Sequence, residues 1–356
     1  MLEALIDTYG EGPVLMLAGA FVGLLFGAAA QHSRFCLRAA TVEVAEGAFG
    51  PRLAIWLLAF CAAVLSVQGA IAAGWLDVSE ARQLAATGSL SGALIGGAMF
   101  GAGMVLARGC ASRLLVLSAT GNLRALITCL VLTLVAQASL RGVLAPAREA
   151  LAGLWTVPGG AARDALSILG LTSQSAVLIA LAALAGAIVL ATLRHVGVTR
   201  AGGAVVVGLA VGLGWFLTFA IAQTSFEVVP ISSVTFTGPA TDTLMGLVNA
   251  PEIPASFGVG LVPGVFLGAA VMALVSGEFA IQRFGPDVPM ERYLVGACLM
   301  GFGAMLAGGC AVGAGLSGGA VFSLTAWLAV FAMWIGAMAT HRLLARGIGQ
   351  AVAGTP

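Results

Sequence analysis

Long apolar runs alternate along this chain with short polar breaks, and the lengths of the runs set the first expectation. A helix crossing the hydrocarbon core of a bilayer needs about 20 mostly apolar residues. Nine such stretches can be laid down, at roughly 13–31, 52–75, 90–107, 123–144, 176–193, 202–222, 259–278, 293–308 and 321–341. None shows the period-two alternation of a membrane strand, and lipid offers bare backbone groups no partner, so the spans are predicted to be helices. The expected fold class is all-α, a polytopic membrane protein in one transmembrane domain.

Composition removes the alternatives. Of the 356 residues 60% are apolar and 9% charged, and the mean hydropathy is +1.05, a balance that excludes a soluble globular domain. The opening MLEALIDTYGEG carries Glu3, Asp7 and Glu11 and no basic residue, the reverse of a signal peptide, so the first span is expected to stay in the mature chain. Net charge is +1 and all sixteen basic residues are Arg, which leaves no nucleic-acid footprint and no polybasic lipid-binding tail.

The arginines orient the chain. With the amino terminus external, the cytoplasmic segments collect twelve of them: Arg34, Arg38, Arg52, Arg108, Arg113, Arg124, Arg194, Arg200, Arg283, Arg292, Arg342 and Arg346. Only Arg82, Arg141, Arg148 and Arg163 fall outside. The positive-inside rule therefore predicts an external, periplasmic amino terminus and a cytoplasmic carboxyl terminus in a bacterial inner membrane.

The strongest internal signal is a self-match at an offset of 200 residues, GGAMFGAGMVLARGCA (96–111) against GACLMGFGAMLAGGCA (296–311). Each copy closes the third span of a four-span half, the halves covering about 13–144 and 202–341, with 176–193 as connector. One connecting span turns the second half over, the parity of an inverted-repeat transporter whose broken helices meet near the midplane. After Cys110 and Cys310 the chain runs ASRLLVLSATGNL and AVGAGLSGGAVFS, too short for another crossing and rich in small and hydroxyl residues. They read as re-entrant loops with a short helix, and irregular backbone at membrane depth marks a cavity. Similar breaks follow the first span, QHSRFCLRAAT around Cys36, and fill 223–258, which contains SSVTFTGPATD.

Gly101, Gly103, Gly109, Gly301, Gly303 and Gly309 are candidates for forming these breaks and cradling an anion on amide N–H groups. Packing of the small-xxx-small kind is the other reading for such glycines. The turn itself is expected at Gly109 and Gly309, where apolar character stops. Of the six cysteines, Cys61, Cys129 and Cys298 fall within apolar runs and read as small core residues, whereas Cys36, Cys110 and Cys310 sit at breaks. With no CxxC and no His–Cys cluster, neither a metal site nor a thioredoxin-like motif is expected. A thiol is a weak donor with a soft, polarizable sulfur, suited to the terminal sulfur of a reduced sulfur anion rather than to a hard oxyanion.

RFCLRAAT around Cys36, GAGMVLARGC ending at Cys110, and GFGAMLAGGC with AVGAGLSGG around Cys310 resemble the YeeE/YedE family of sulfur transporters, the thiosulfate-uptake type. The resemblance implies an hourglass-shaped protein with central re-entrant loops. It implies thiosulfate import by S–H contacts passed along Cys36, Cys110 and Cys310, with no cofactor and no enzymatic step, and a TusA-like sulfur-carrier protein as cytoplasmic partner. The position symmetric with Cys36 is Phe236, so the repeat is chemically incomplete. Three other readings stay open: a membrane thiol-redox protein, a passive channel, and a transporter of another sulfur or selenium species.

Overall fold

The computed structural model describes residues 2–225, 227–249, 253–283 and 289–353. In chain order the helices are α1 (Leu2–Tyr9), α2 (Glu11–Ser33), α3 (Leu37–Ala45), α4 (Pro51–Ala72), α5 (Arg82–Ala85), α6 (Leu90–Leu106), α7 (Ala111–Ala119) and α8 (Leu123–Arg141). There follow α9 (Ala145–Gly153), α10 (Ala165–Leu169), α11 (Ser173–Leu193), α12 (Val198–Thr224), α13 (Thr237–Asn249), α14 (Phe257–Val275), α15 (Met290–Ala307) and α16 (Leu324–Ala353). Between α15 and α16 the chain is helical over 311–320 and wound as a π-helix over Gly313–Gly318. The one sheet among the described residues is a two-stranded antiparallel ribbon, Gly88–Ser89 with Thr156–Val157, which hydropathy gave no reason to expect.

Among the described residues eight segments are long and apolar enough to cross a membrane. The expected span at 293–308 is α15, less apolar because it opens on Glu291 and Arg292. It lies against α6 and α8, where a ninth crossing belongs. The protein is thus an all-α, multi-pass membrane protein.

Glycine decides how these helices meet. In lipid no hydrophobic gain drives two apolar helices together, so close backbone approach and dispersion must do it. On α2, Gly19, Gly23 and Gly27 face Phe257, Leu261 and Val265 of α14, while Gly260, Gly264 and Gly268 of α14 face Met16, Ala20 and Leu24 in return. A one-sided version recurs between the equivalent helices α4 and α12, where Gly208 sits on Ala59 and Gly212 on Ser66.

At the centre α6 crosses α15 through contacts that mirror one another. A Cβ on Gly103 would stand 2.6 Å from the Gly296 carbonyl oxygen, and one on Gly303 2.7 Å from that of Gly96. Residue 103 meeting 296 while 96 meets 303 is the self-complementary contact of a two-fold axis, here within one chain. Gly101 then packs on Met333 of α16, and its repeat mate Gly301 on Leu132 of α8. The 200-residue offset therefore relates α2 to α12, α3 to α13, α4 to α14, α6 to α15, α7 to 311–320 and α8 to α16.

The odd helix is α11. It turns a face of Ala176, Ala180, Ala187 and Ala191 towards α4 and presents Leu178, 68% exposed, with Ile179 and Ile188 outwards. A helix whose outer face is wholly aliphatic has lipid for its solvent.

Candidate anion pathway

Four short helical stretches run inside the bundle, and each opens immediately after one residue of a symmetric set. The carbonyls of Cys36, Cys110, Phe236 and Cys310 take the first helical hydrogen bonds, from Ala40 (3.3 Å), Leu114 (2.9 Å), Ala240 (2.8 Å) and Ala314 (2.8 Å). The three cysteines at breaks thus hold equivalent places at helix N-termini, where amide N–H groups are unpaired and the dipole is positive. Phe236 holds the fourth.

Three of the four stretches follow a left-handed turn, and at the two Gly-Cys breaks it is made one residue earlier than the sequence suggested. Arg108 (φ 57°) and Gly308 (φ 77°) take the left-handed conformation that ends α6 and α15, and Arg34 (φ 57°) does the same for α2. The Gly109 and Gly309 amides then bond back to Met104 (3.1 Å) and Ala304 (3.0 Å). Neither glycine has positive φ; Gly309 is needed because a Cβ there would lie 3.0 Å from the Ala314 nitrogen, whereas at Gly109 it would meet only the end of Leu114. Gly101, Gly103, Gly301 and Gly303 lie in the bodies of α6 and α15 at the helix crossings. There they pack against the backbones of neighbouring helices, the small-residue contact that was the other reading of these glycines.

The thiols are reduced and unequal in setting. Cys36 and Cys110 come close enough for their side chains to interact, although 74 positions apart in a chain where no spacing motif links them. Ser112 Oγ lies 3.3 Å from Cys110 Sγ. Cys310 Sγ accepts from the Gly313 amide at 3.4 Å and lies 4.0 Å from Thr235 Oγ1. Two residues at or beside these helix starts share one aromatic partner: the Phe26 ring packs on Phe236 (5.3 Å) and edge-on to Phe35 (6.5 Å). Cys61 is buried in α4, Cys129 half-buried in α8, and Cys298 exposed on α15.

Cavities approach this waist from both ends. Cys36 opens on one of about 440 Å³ walled by Arg34, Arg38, Arg52, Arg108, Arg113 and Arg200. At the opposite end Thr235, Thr237 and Gly309 face a cavity of about 280 Å³ that also holds Arg82 and Arg148. A neighbouring one of about 270 Å³ shares those arginines and reaches Arg163 and Gly313. The guanidinium of Arg163 is buried against the carbonyls of Arg82 (3.2 Å) and Ala86 (2.6 Å) and Thr325 Oγ1 (2.6 Å), and burial, then the charge of Arg82, pulls its pKa below the usual value. Thr237 Oγ1 is buried without a hydrogen-bond partner. Among the described residues no three His, Cys, Asp or Glu side chains gather as a metal site would require.

Sequence reasoning missed Thr235 and Thr237. Their signal was the alternating hydroxyls of SSVTFTG, legible only once aligned with HSRFCLR at the repeat offset. It also missed Gln31, whose Nε2 donates to Glu278 (2.8 Å) and whose Oε1 accepts from Arg113 (3.3 Å). Glu278 further accepts from Arg34 at 2.9 Å, and that bond, ahead of any other influence, holds its carboxyl below the usual range.

Comparison with known proteins places this geometry. A protein of Spirochaeta thermophila named as the thiosulfate transporter TsuA is 28% identical over 330 residues, covering 88% of this chain and 94% of its own length. The thiosulfate transporter TsuA of Escherichia coli is 32% identical over 133 residues, which span 37% of this chain and only 36% of that protein. Residues 32–339, running from the first break through the last crossing, match the family described as sulphur transport, and the chain belongs to that family.

Proposed function

We propose that the protein imports thiosulfate across a bacterial inner membrane, passing the anion from Cys310 to the Cys110–Cys36 pair, with the arginine-walled cavity on the cytoplasmic side. The observation that carries this reading is selective placement. Of six cysteines, the three at half-helix N-termini lie between cationic cavities at opposite ends, while the other three lie in helix bodies. The names of the two relatives agree with the substrate.

The chemistry follows from the groups present. Thiosulfate is a dianion that cannot enter hydrocarbon, and converging helix N-termini offer it partial positive charge without a fixed lysine that would hold it. Each thiol meets the terminal sulfur as a weak S–H donor, so successive contacts are of similar, modest strength and the anion moves on. A thiolate would repel it, so the thiols act protonated. A TusA-like carrier is the partner this reading puts at the arginine-rich mouth.

The test is thiosulfate uptake by a deficient host expressing each variant. Cys36→Ala, Cys110→Ala and Cys310→Ala are each expected to lose more than nine-tenths of uptake, a loss of roughly 1.4 kcal/mol or more in transition-state terms, and Cys129→Ala almost none. One observation favours a second reading: the closeness of Cys36 to Cys110, which sequence reasoning took to be dispersed, is what a dithiol-redox pair needs. The variants separate the two, because a redox pair has no use for Cys310 and Cys310→Ala would then be silent.

A further inference from the structure

The cavity at the arginine-rich end holds more positive charge than its surroundings answer. Six guanidinium groups wall it, and Glu278 is the one carboxylate among the described residues that forms an ion pair with any of them, at 2.9 Å from Arg34. Glu43, near Arg52 in space, turns its oxygens to the backbone N–H groups of Arg52 (3.4 Å) and Leu53 (2.8 Å) at the start of α4. The Nε of Arg38 is buried and has no partner. Buried donors in native proteins are nearly always satisfied, so an unanswered one on a cavity wall points to a ligand.

Glu278 is not a loosely placed surface acid. Its loop is fastened across the end of α7 by Ala280 N–H to Thr120 (3.1 Å), Gln282 N–H to Gly121 (2.9 Å) and Leu123 N–H to Gln282 (3.2 Å). Through Gln31 its carboxylate is linked to Arg113, which stands beside Cys36 in the cavity wall.

We propose that this cavity is a release site for dianionic tetrahedral oxyanions, and that Glu278 is its tethered competitor, taking Arg34 as the anion leaves. It rests on the transport reading only for its cytoplasmic orientation. Several guanidinium groups facing a dianion with no rival carboxylate would hold it too firmly to let go. A fixed carboxylate at the rim supplies the exchange partner. Guanidinium groups recognise charge and oxygen geometry, so this cavity accepts sulfate as readily as thiosulfate, and preference for a terminal sulfur is left to the thiols.

The test uses the full-length protein in detergent, with Cys36 as reporter and sulfate as probe. The rate at which N-ethylmaleimide modifies Cys36 is read by peptide mass spectrometry in sulfate and in chloride at equal ionic strength. Sulfate is expected to slow Cys36 saturably while exposed Cys298 is unaffected. Glu278→Gln should lower the half-protective concentration by roughly threefold or more, as removal of one competing ion pair implies, and Arg38→Gln should raise it. If Arg38→Gln fails to fold, Arg200→Gln, at an exposed position on the same wall, replaces it. Three results would overturn the proposal: a Cys36 that does not react in sulfate-free buffer, protection matched by chloride, or a half-protective concentration indifferent to Glu278→Gln. Thiosulfate uptake is not read here, so lost uptake with sulfate protection intact sinks the transport reading alone, and the converse sinks this one.

Discussion

The two halves share a frame and differ at its centre. In the first half the breaks carry two neighbouring thiols, one of which, Cys36, opens on a cavity of arginines. In the second they carry one thiol, one phenyl ring and a pair of threonines, and the stretch after Cys310 is wound as a π-helix where α7 is regular. At the central crossing three glycines correspond across the 200-residue offset, Gly96, Gly101 and Gly103 with Gly296, Gly301 and Gly303. At the helix starts Cys110 is matched by Cys310, whereas Cys36 is answered by Phe236. Packing at the central crossing is shared by both halves and fixes the path of the backbone there, while the exchange of Cys36 for Phe236 sets a different chemistry on each side. A thiol close to guanidinium groups suits release into an anion-poor side; a thiol beneath hydroxyls suits capture.

The sharpest way to break this comparison is to attack the shared frame. Gly103→Leu and Gly296→Leu each place carbon within 2.7 Å of a facing carbonyl oxygen, so both are expected to abolish folded protein alike, measured by monodisperse yield in mild detergent. Gly109→Ala meets only the tip of Leu114 at 3.3 Å and should express normally. Unequal outcomes for Gly103 and Gly296 would show that the two-fold contact is not shared equally.

Much of the frame was legible beforehand because lipid imposes one rule on every crossing helix: about 20 apolar residues. The repeat was legible because Gly-Cys closed both copies. What escaped was anything decided by which face a residue turns to. Gly101 and Gly109 are one letter in sequence, yet one packs under Met333 and the other follows a turn made by Arg108. Pairing of Cys36 with Cys110, or of Arg34 with Glu278 at a separation of 244 residues, depends on how α2, α7 and α14 assemble, and no local pattern encodes it. Span α15 was weak by hydropathy because Glu291 and Arg292 open it.

A second way in is through the odd member of the central set. Phe236 is 1% exposed and packs on Phe26, which also carries the ring of Phe35 next to Cys36. Removing the ring in Phe236→Ala should cost roughly 3 kcal/mol of stability and let sulfate pass where it did not before, read as radiolabelled sulfate entry into proteoliposomes. Phe236→Cys sharpens the point, since it supplies the missing fourth thiol. If the ring matters as a seal, the added thiol will not raise thiosulfate uptake and the sulfate leak will persist; a gain in uptake would mean that the fourth position is merely an unused relay site.

The smallest expected effect falls on the turn that both halves make with different residues. Left-handed backbone suits glycine, and Arg108 adopts it at φ 57° where its counterpart is Gly308 at φ 77°. A non-glycine residue there is strained by about 1 kcal/mol. Arg108→Gly should therefore raise the thermal stability of the detergent-solubilised protein by about 0.5–1 kcal/mol, and Gly308→Ala should lower it by a similar amount. Function should move the other way. Arg108 contributes a guanidinium to the cavity beside Cys36, so the more stable Arg108→Gly protein should transport thiosulfate more slowly at low ionic strength, with the deficit narrowing as added salt screens the cavity's charge. Stability gained with uptake unchanged would mean that the strain serves the fold alone. Stability gained with uptake lost would show that the first half accepts a strained backbone to keep a cation at its mouth, where the other mouth, which draws its cations from Arg82, Arg148 and Arg163, takes the relaxed residue at Gly308.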